Sequence, residues 1–166
     1  MRAVDGLERF NGLPEAAAVA ELLAVCHSRR WAERVADGRP YADLAALQAA
    51  ADEVWTGLDP ADWLEAFKAH PRIGESGGRS AEWSRQEQAG VGGAGADLRD
   101  RLAAGNAEYE RRFGHVFLIA AAGRDAPEIL DALQDRLGND PGTELRVAAG
   151  EHRRITRLRI EKLMQG

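Results

Sequence analysis

Apolar residues recur at helical spacing along nearly the whole chain. One helix is predicted after the turn at 11–14, with Val19, Leu22, Leu23 and Cys26 on one face. Ser28 is a good cap for a short helix, and the apolar stripe over 44–58 predicts a longer one. Further stripes predict helices over 98–113, from 125 to 138 and from about 143 to 164. The fold class is therefore all-α.

One apolar run, 115–122 (His-Val-Phe-Leu-Ile-Ala-Ala-Ala), does not have a helical stripe. It is consistent with an extended buried segment or with a short buried helix. We favour the extended form because valine, phenylalanine and isoleucine cluster in it and Gly123 closes it. The sequence thus predicts a compact single domain over 1–166, a bundle of seven to nine helices with one irregular apolar segment.

The last predicted helix places a charged residue on its apolar side. At 100° per residue, Arg159 lies near the centre of the stripe. The charged residues mostly on the opposite face are Glu151, Arg153, Arg154, Arg157 and Glu161. An unpaired buried charge is very costly, so Arg159 needs an anionic partner. That partner is either an internal carboxylate such as Glu87 or a ligand. His152, on the same face, is expected to be a core histidine.

A histidine is predicted at the end of the helix that begins near 59. Asp59 suits the N-cap, and Pro60 suits the first helical position. Pro71 disfavours the α conformation at His70, so the helix should stop there and present the imidazole at its end. The glycines at 74, 77 and 78 indicate a turning loop. Such a histidine is either a capping or surface residue or a catalytic one.

The predicted helix from Ala81 to about Ala89 is unusually polar. Ser84, Glu87 and Gln88 share one face at spacing i, i+3, i+4. A helix of this kind is either solvated or lines a polar cavity. The glycine-rich residues 90–95 that follow are either a flap over an active site or a linker.

Composition narrows the possible classes of function. The chain has 166 residues, a net charge of −5 and one cysteine. These values predict one domain, exclude an internal disulfide or a cysteine-based zinc site, and give no general attraction to nucleic acid or to an anionic membrane. No apolar run approaches the roughly 20 residues of a membrane span. Without a recognisable secretory or peroxisomal signal, a cytoplasmic protein is expected.

Several separated motifs resemble one enzyme family. They are 70–74 (His-Pro-Arg-Ile-Gly), 84–90 (Ser-Arg-Gln-Glu-Gln-Ala-Gly), 155–160 (Ile-Thr-Arg-Leu-Arg-Ile), 106–109 (Asn-Ala-Glu-Tyr) with 112–117 (Arg-Phe-Gly-His-Val-Phe), and the region 31–40. Their order and spacing resemble 2-oxo-4-hydroxy-4-carboxy-5-ureidoimidazoline (OHCU) decarboxylase, which forms (S)-allantoin at the end of urate oxidation. The resemblance covers essentially the whole chain. Two departures are His115, where the family usually has an apolar or aromatic residue, and an alanine just after the apolar residues 117–121, where a cysteine is common.

The resemblance implies an all-α homodimer that uses no cofactor and no metal. It makes His70 the catalytic acid/base, with Glu87 orienting the substrate and Arg159 binding an anionic or carbonyl part of it. The implied substrate-binding residues are Pro71, Ser84, Arg85, Gln86, Glu87, Gln88 and the backbone of Phe117, Leu118, Ile119, Ala120 and Ala121. A partner pathway enzyme, hydroxyisourate hydrolase acting after urate oxidase, would supply the ureidoimidazoline substrate.

Other readings make different predictions. A metal site from His70, Glu87, His115 and His152 lacks any H-E-x-x-H spacing. A nucleic-acid module using the basic run 152–157 conflicts with the net negative charge, and the run is better explained as a solvated or dimer-facing helix side. A non-catalytic helical scaffold, or a decarboxylase of a related ureido-imidazoline, also remains open.

Overall fold

The computed structural model describes residues 3–73, 83, 86–89 and 95–165. These residues contain eight helices and no β-strand, so the predicted all-α class is confirmed and the number agrees with the prediction. The helices are α1 (Ala3–Asn11), α2 (Glu15–Val25), α3 (Arg29–Asp37), α4 (Leu44–Thr56), α5 (Pro60–Phe67), α6 (Ala96–Phe113), α7 (Ala126–Arg136) and α8 (Pro141–Gln165).

Side-chain caps fix where several helices begin. The Ser28 hydroxyl accepts a hydrogen bond from the Trp31 amide at 3.3 Å, as predicted, and starts α3. At the start of α7, Asp125 and Glu128 form a reciprocal capping box. Each cap satisfies amide donors that the helix itself cannot pair. The caps therefore define the residues at which α3 and α7 begin.

Backbone contacts divide the chain into two units, of which the first comprises Met1–Ala66 and Arg153–Gly166. In this unit α3 packs against α2 and α4, and α1 packs against α4. Its largest fully buried side chains include Phe10, Leu22, Trp31, Leu47 and Ile160. A Cβ atom at Gly6 would lie 1.7 Å from the Met164 carbonyl oxygen, so this contact requires glycine.

The second unit is Phe67–His152, and α6 packs against α7 within it. A Cβ at Gly105 would lie 2.5 Å from the Leu133 side chain, so glycine permits the close approach of these helices. Gly114, with φ of +79°, ends α6 in the left-handed conformation that glycine adopts at low cost. The core of this unit also takes in the irregular apolar run. Its buried members are Ile73, Leu102, Tyr109, Phe117, Ile119, Ala121, Ala126, Ile129, Leu130 and Leu133.

Two predicted helix boundaries need correction. The fifth helix ends at Phe67 and not at His70, because the His70 amide bonds to the Phe67 carbonyl at 3.1 Å and tightens the last turn. The last helix begins at Pro141, two residues early, since Asp140 caps it through the Thr143 amide. Within the described ranges, no helix combines the length and apolarity of a membrane span. The single domain over 1–166 stays a prediction.

Candidate active site

His70 lies in a short turn after α5 and is half-buried. Its ring meets the ring of His152 edge-on, with centroids 4.8 Å apart and planes at 84°. His152 is fully buried in α8, as predicted for a core histidine, and its ring also lies 5.7 Å from that of Phe67. The predicted catalytic imidazole is therefore packed against a fixed ring and not freely solvated.

The irregular apolar run forms a buried segment. Residues 116–121 have neither helical nor strand geometry, as predicted, and we call 117–121 the strip. Four of its five residues are buried, Ala120 being half-buried. The Ala120 amide donates to the Glu151 carboxylate at 3.2 Å. Because Glu151 precedes His152 in α8, one helical turn contacts both the strip and His70.

Not every backbone group of the strip is available to a ligand. The Ala120 carbonyl accepts from Arg124 Nε at 3.1 Å, so both backbone groups of Ala120 have partners within the protein. The Leu118 carbonyl accepts from Arg136 Nη1 at 2.6 Å. Among the described residues, neither the amide nor the carbonyl of Ile119 has a hydrogen-bond partner. The same holds for Phe117, and because buried backbone groups normally find partners, the groups of Phe117 and Ile119 are the ones placed to bind a partner from outside the chain.

A buried charged cluster, which was not predicted from the sequence, supports the strip. Arg136 donates from Nη2 and Nε to Glu144 Oε2 at 2.5 and 2.9 Å. Glu144 is fully buried and also accepts from the Tyr109 hydroxyl and from Asn139 Nδ2. Burial, followed by the hydrogen bond to Glu144, raises the pKa of Tyr109 well above its usual range. Tyr109 therefore stays a neutral donor to a charged acceptor.

The sequence contained a signal for this cluster. Arg136 follows Ile129 and Leu133 at i, i+4, i+7, the spacing that identified Arg159. Glu144 precedes Ala148 and His152 on the stripe of α8 in the same way. Leu137 and Leu145, the neighbouring apolar residues, are by contrast only half-buried. Glu151, predicted to face outward, is also half-buried because it binds the strip.

The chain after His70 is attached to α6. Asn106 is 2% exposed and donates from Nδ2 to the Ile73 carbonyl at 3.1 Å. One turn later in α6, the Glu110 oxygens Oε1 and Oε2 accept hydrogen bonds from Arg72 Nε at 2.9 and 3.0 Å. A cavity of about 310 Å³ lies beside these contacts. The two contacts hold the backbone that immediately follows the His-Pro pair.

The other predicted site residues are Ser84 to Gln88 and Arg159, and the structure describes some of them. Ser84, Arg85 and most of the glycine-rich loops at 74–80 and 90–95 lie outside the described residues. Glu87 has helical backbone and is 8% exposed, whereas Gln86 is exposed and Gln88 half-buried. Arg159 belongs to the first unit, is 1% exposed as predicted, and donates to the Val25 carbonyl at 3.3 Å. Its pairing with Glu87 stays a prediction.

Cys26 behaves as a small core residue. It is fully buried, and burial raises the pKa of its thiol to about 12. A thiol is nucleophilic as the thiolate, so Cys26 is unreactive at neutral pH. In the described part of the chain, no three histidine, cysteine or acidic side chains are grouped to hold a metal ion.

Comparison with known proteins places these features in a family. The model of the OHCU decarboxylase family matches residues 11–161. The chain is 35% identical over 144 residues to the uric acid degradation bifunctional protein TTL of Arabidopsis thaliana, covering 83% of this chain and 44% of that protein. It is 32% identical over 171 residues to the 2-oxo-4-hydroxy-4-carboxy-5-ureidoimidazoline decarboxylase of Amia calva, covering 99% of this chain and 94% of the relative.

A solved structure has a similar fold. It is a crystal structure of an OHCU decarboxylase in the presence of (S)-allantoin, 33% identical to this chain. The similarity covers 88% of this chain and 98% of that one, with a TM-score of 0.79. The chain thus spans nearly the full length of the Amia calva relative and of this solved chain, and less than half of the Arabidopsis bifunctional protein.

Proposed function

This chain belongs to the OHCU decarboxylase family, and we propose that it converts OHCU to (S)-allantoin with His70 as the acid/base group. One observation carries the assignment of the site. Adjacent residues of α8, Glu151 and His152, contact the strip and the His70 ring respectively. A reactive imidazole and a buried backbone segment are thereby attached to the same helical turn.

The chemistry suits these groups. Loss of CO2 breaks the bond between C4 and the carboxylate carbon, and the electron pair delocalises into the imidazoline system. A proton must then be delivered to one face of the ring. A histidine is suitable because its ordinary pKa lies near operating pH. His70 is half-buried against a fixed ring, so its side chain is held in one orientation for that transfer.

The remaining predicted residues would bind and orient the substrate. Arg159 is a buried guanidinium and would bind the anionic or carbonyl part. Glu87, a nearly buried carboxylate, would hydrogen-bond the ureido or ring N–H groups. In the strip, the Ile119 amide and carbonyl would pair with the polar edge of the ureido group or ring. No cofactor is required in this scheme, because the ring itself accepts the electron pair.

The protein's context is also part of the proposal. A homodimer in the cytoplasm is proposed from the sequence resemblance and composition. Hydroxyisourate hydrolase, acting after urate oxidase, would supply the substrate, and the naming of the Arabidopsis relative as a bifunctional uric acid degradation protein supports this link. Light scattering coupled to size-exclusion chromatography should give twice the 18.0 kDa chain mass. A mass of one chain would reject the dimer.

Circular dichroism of the reconstituted pathway tests the function. Urate oxidase and hydroxyisourate hydrolase generate the unstable substrate in the cuvette, and the purified protein is then added. We expect rapid appearance of the (S)-allantoin signal, abolished in His70→Ala and His70→Asn. His115→Asn, a matched change of a half-buried histidine in the same unit, should retain turnover. Slow formation of racemic allantoin, equal with and without protein, would point to another substrate or to a non-catalytic scaffold.

A further inference from the structure

We propose that Arg136 is a positioning residue for the decarboxylation, because it fixes the strip so that the backbone of Ile119 faces the substrate. The proposal rests on the proposed function. It assigns a role to a buried charge that the reaction itself does not use.

Arg136 contacts two successive residues of the strip. Its Nη1 donates to the Leu118 carbonyl at 2.6 Å, and its guanidinium carbon lies 4.6 Å from the centre of the Phe117 ring. Its Nε and Nη2 donate to Glu144. The planar guanidinium presents its donors in a rigid fork, so one side chain binds the carboxylate and the carbonyl at once.

The Glu144 carboxylate holds that fork in place. Tyr109 from α6 and Asn139 from the turn before α8 both donate to it. The acceptor for Arg136 is therefore held by separate elements of the second unit and cannot rotate away freely. Because the cluster is buried, its hydrogen bonds are not exchanged with water, and the position of Leu118 is tied to the helices.

A second pair of charges fixes the strip two residues later. Glu151 accepts from the Ala120 amide, and Arg124 donates to the Ala120 carbonyl. The two charges also lie 3.9 Å apart. Ile119 is thus held between two anchored residues while its own backbone groups have no partner among the described residues. Such preorganised backbone donors and acceptors bind without a cost of reorganisation.

Kinetics of two substitutions test the proposal. Arg136→Gln removes the charge and the fork, and we expect KM to rise about tenfold, the effect of one lost hydrogen bond to a well-placed group, with a smaller change in kcat. Arg136→Lys keeps the charge without the fork and should recover only part of the loss. Trp31→Phe, in the first unit, removes a buried bond to the Ala51 carbonyl and serves as the matched destabilised control with unchanged KM.

Amide hydrogen exchange of a peptide spanning the strip gives a readout independent of activity. Exchange of the Ala120 amide, which donates to Glu151, should be faster in Arg136→Gln than in wild type and unchanged in Trp31→Phe. A folded Arg136 variant with unchanged amide exchange and unchanged KM would overturn the proposal. It would also be overturned if Arg136→Gln and Trp31→Phe lowered Tm equally and changed exchange and KM by the same amount. If Arg136→Gln does not fold, KM and amide exchange are measured in Arg136→Lys instead. A wild-type protein that makes no (S)-allantoin would reject the proposed function, while exchange would still decide whether Arg136 fixes the strip.

Discussion

Replacing Glu144 by glutamine should destabilise the protein far more than the same change at an exposed ion pair. Glu144 is fully buried and accepts hydrogen bonds from three residues, one of them the charged Arg136. Glutamine removes the negative charge and turns one acceptor into a donor that faces other donors. The Arg136 charge, with 10% of its side chain exposed, is then left buried without compensation.

The size of the effect follows from that burial. Removing one partner of a buried ion pair costs about 3–5 kcal/mol, a large share of a domain stability of about 5–15 kcal/mol. Glu110 provides the matched control, since it also accepts from an arginine through both oxygens, but its pair with Arg72 is partly solvated. Exposed pairs contribute about 0–1 kcal/mol, so Glu110→Gln should have little effect.

Urea denaturation followed by circular dichroism measures both variants. With an m-value of about 2 kcal/mol per M, Glu144→Gln should lower the midpoint by about 2 M and Glu110→Gln by less than about 0.5 M. If Glu144→Gln is too unstable to purify, Tyr109→Phe removes only one bond to the carboxylate and should cost about 1.5–3 kcal/mol. Equal urea midpoints for Glu144→Gln and Glu110→Gln would show that burial does not increase the contribution of the Glu144 cluster to the free energy of unfolding.

Three further changes have defined outcomes. Arg159→Ala should raise KM, because it removes the proposed anion-binding group, and lower Tm through loss of the bond to the Val25 carbonyl; a normal KM would contradict the assigned role. Cys26→Ala should remove a pH-dependent loss of stability: the folded pKa of Cys26 is raised to about 12 from 9.0, so stability is full below pH 9 and falls as pH rises, by about 1.4 kcal/mol at pH 10. Identical pH dependence of the urea midpoint in wild type and variant would disprove this. Asn106→Ala leaves the Ile73 carbonyl unpaired and should cost about 1–3 kcal/mol in urea unfolding; a loss below about 0.5 kcal/mol would show that water replaces the amide.

Much of the fold could be predicted from local chemistry. The Ser28 cap, the stripe that ends at Gly114 and the buried Arg159 all follow from spacing within one helix. Such features depend on residues three or four positions apart, which are neighbours on a helix whatever surrounds it. The irregular strip could also be recognised, since its β-branched and aromatic residues lack a helical stripe.

The buried charges around the strip could not be predicted in the same way. Arg136 and Glu144 lie on apolar stripes, but a charged residue there is acceptable only when its partner is known. That partner comes from another element, as do Tyr109 and Asn139, so the information is tertiary. Glu151 was assigned to the solvated face for the same reason, because the amide it binds lies 31 residues earlier in the chain.

The charged residues whose burial was not predicted all lie around the strip, and this location is consistent with a role of the strip in binding the substrate. A polar residue on a buried face violates the local rule for folding, and natural proteins tend to violate such rules at functional sites. Arg136, Glu144 and Glu151 hold Leu118 and Ala120 either directly or through one another. A strip that served only as core packing would gain more from apolar residues, since replacing a buried ion pair by well-packed apolar side chains is often neutral or stabilising. The cost of burying these charges is understandable if the backbone of Ile119 must be held in place to bind the substrate.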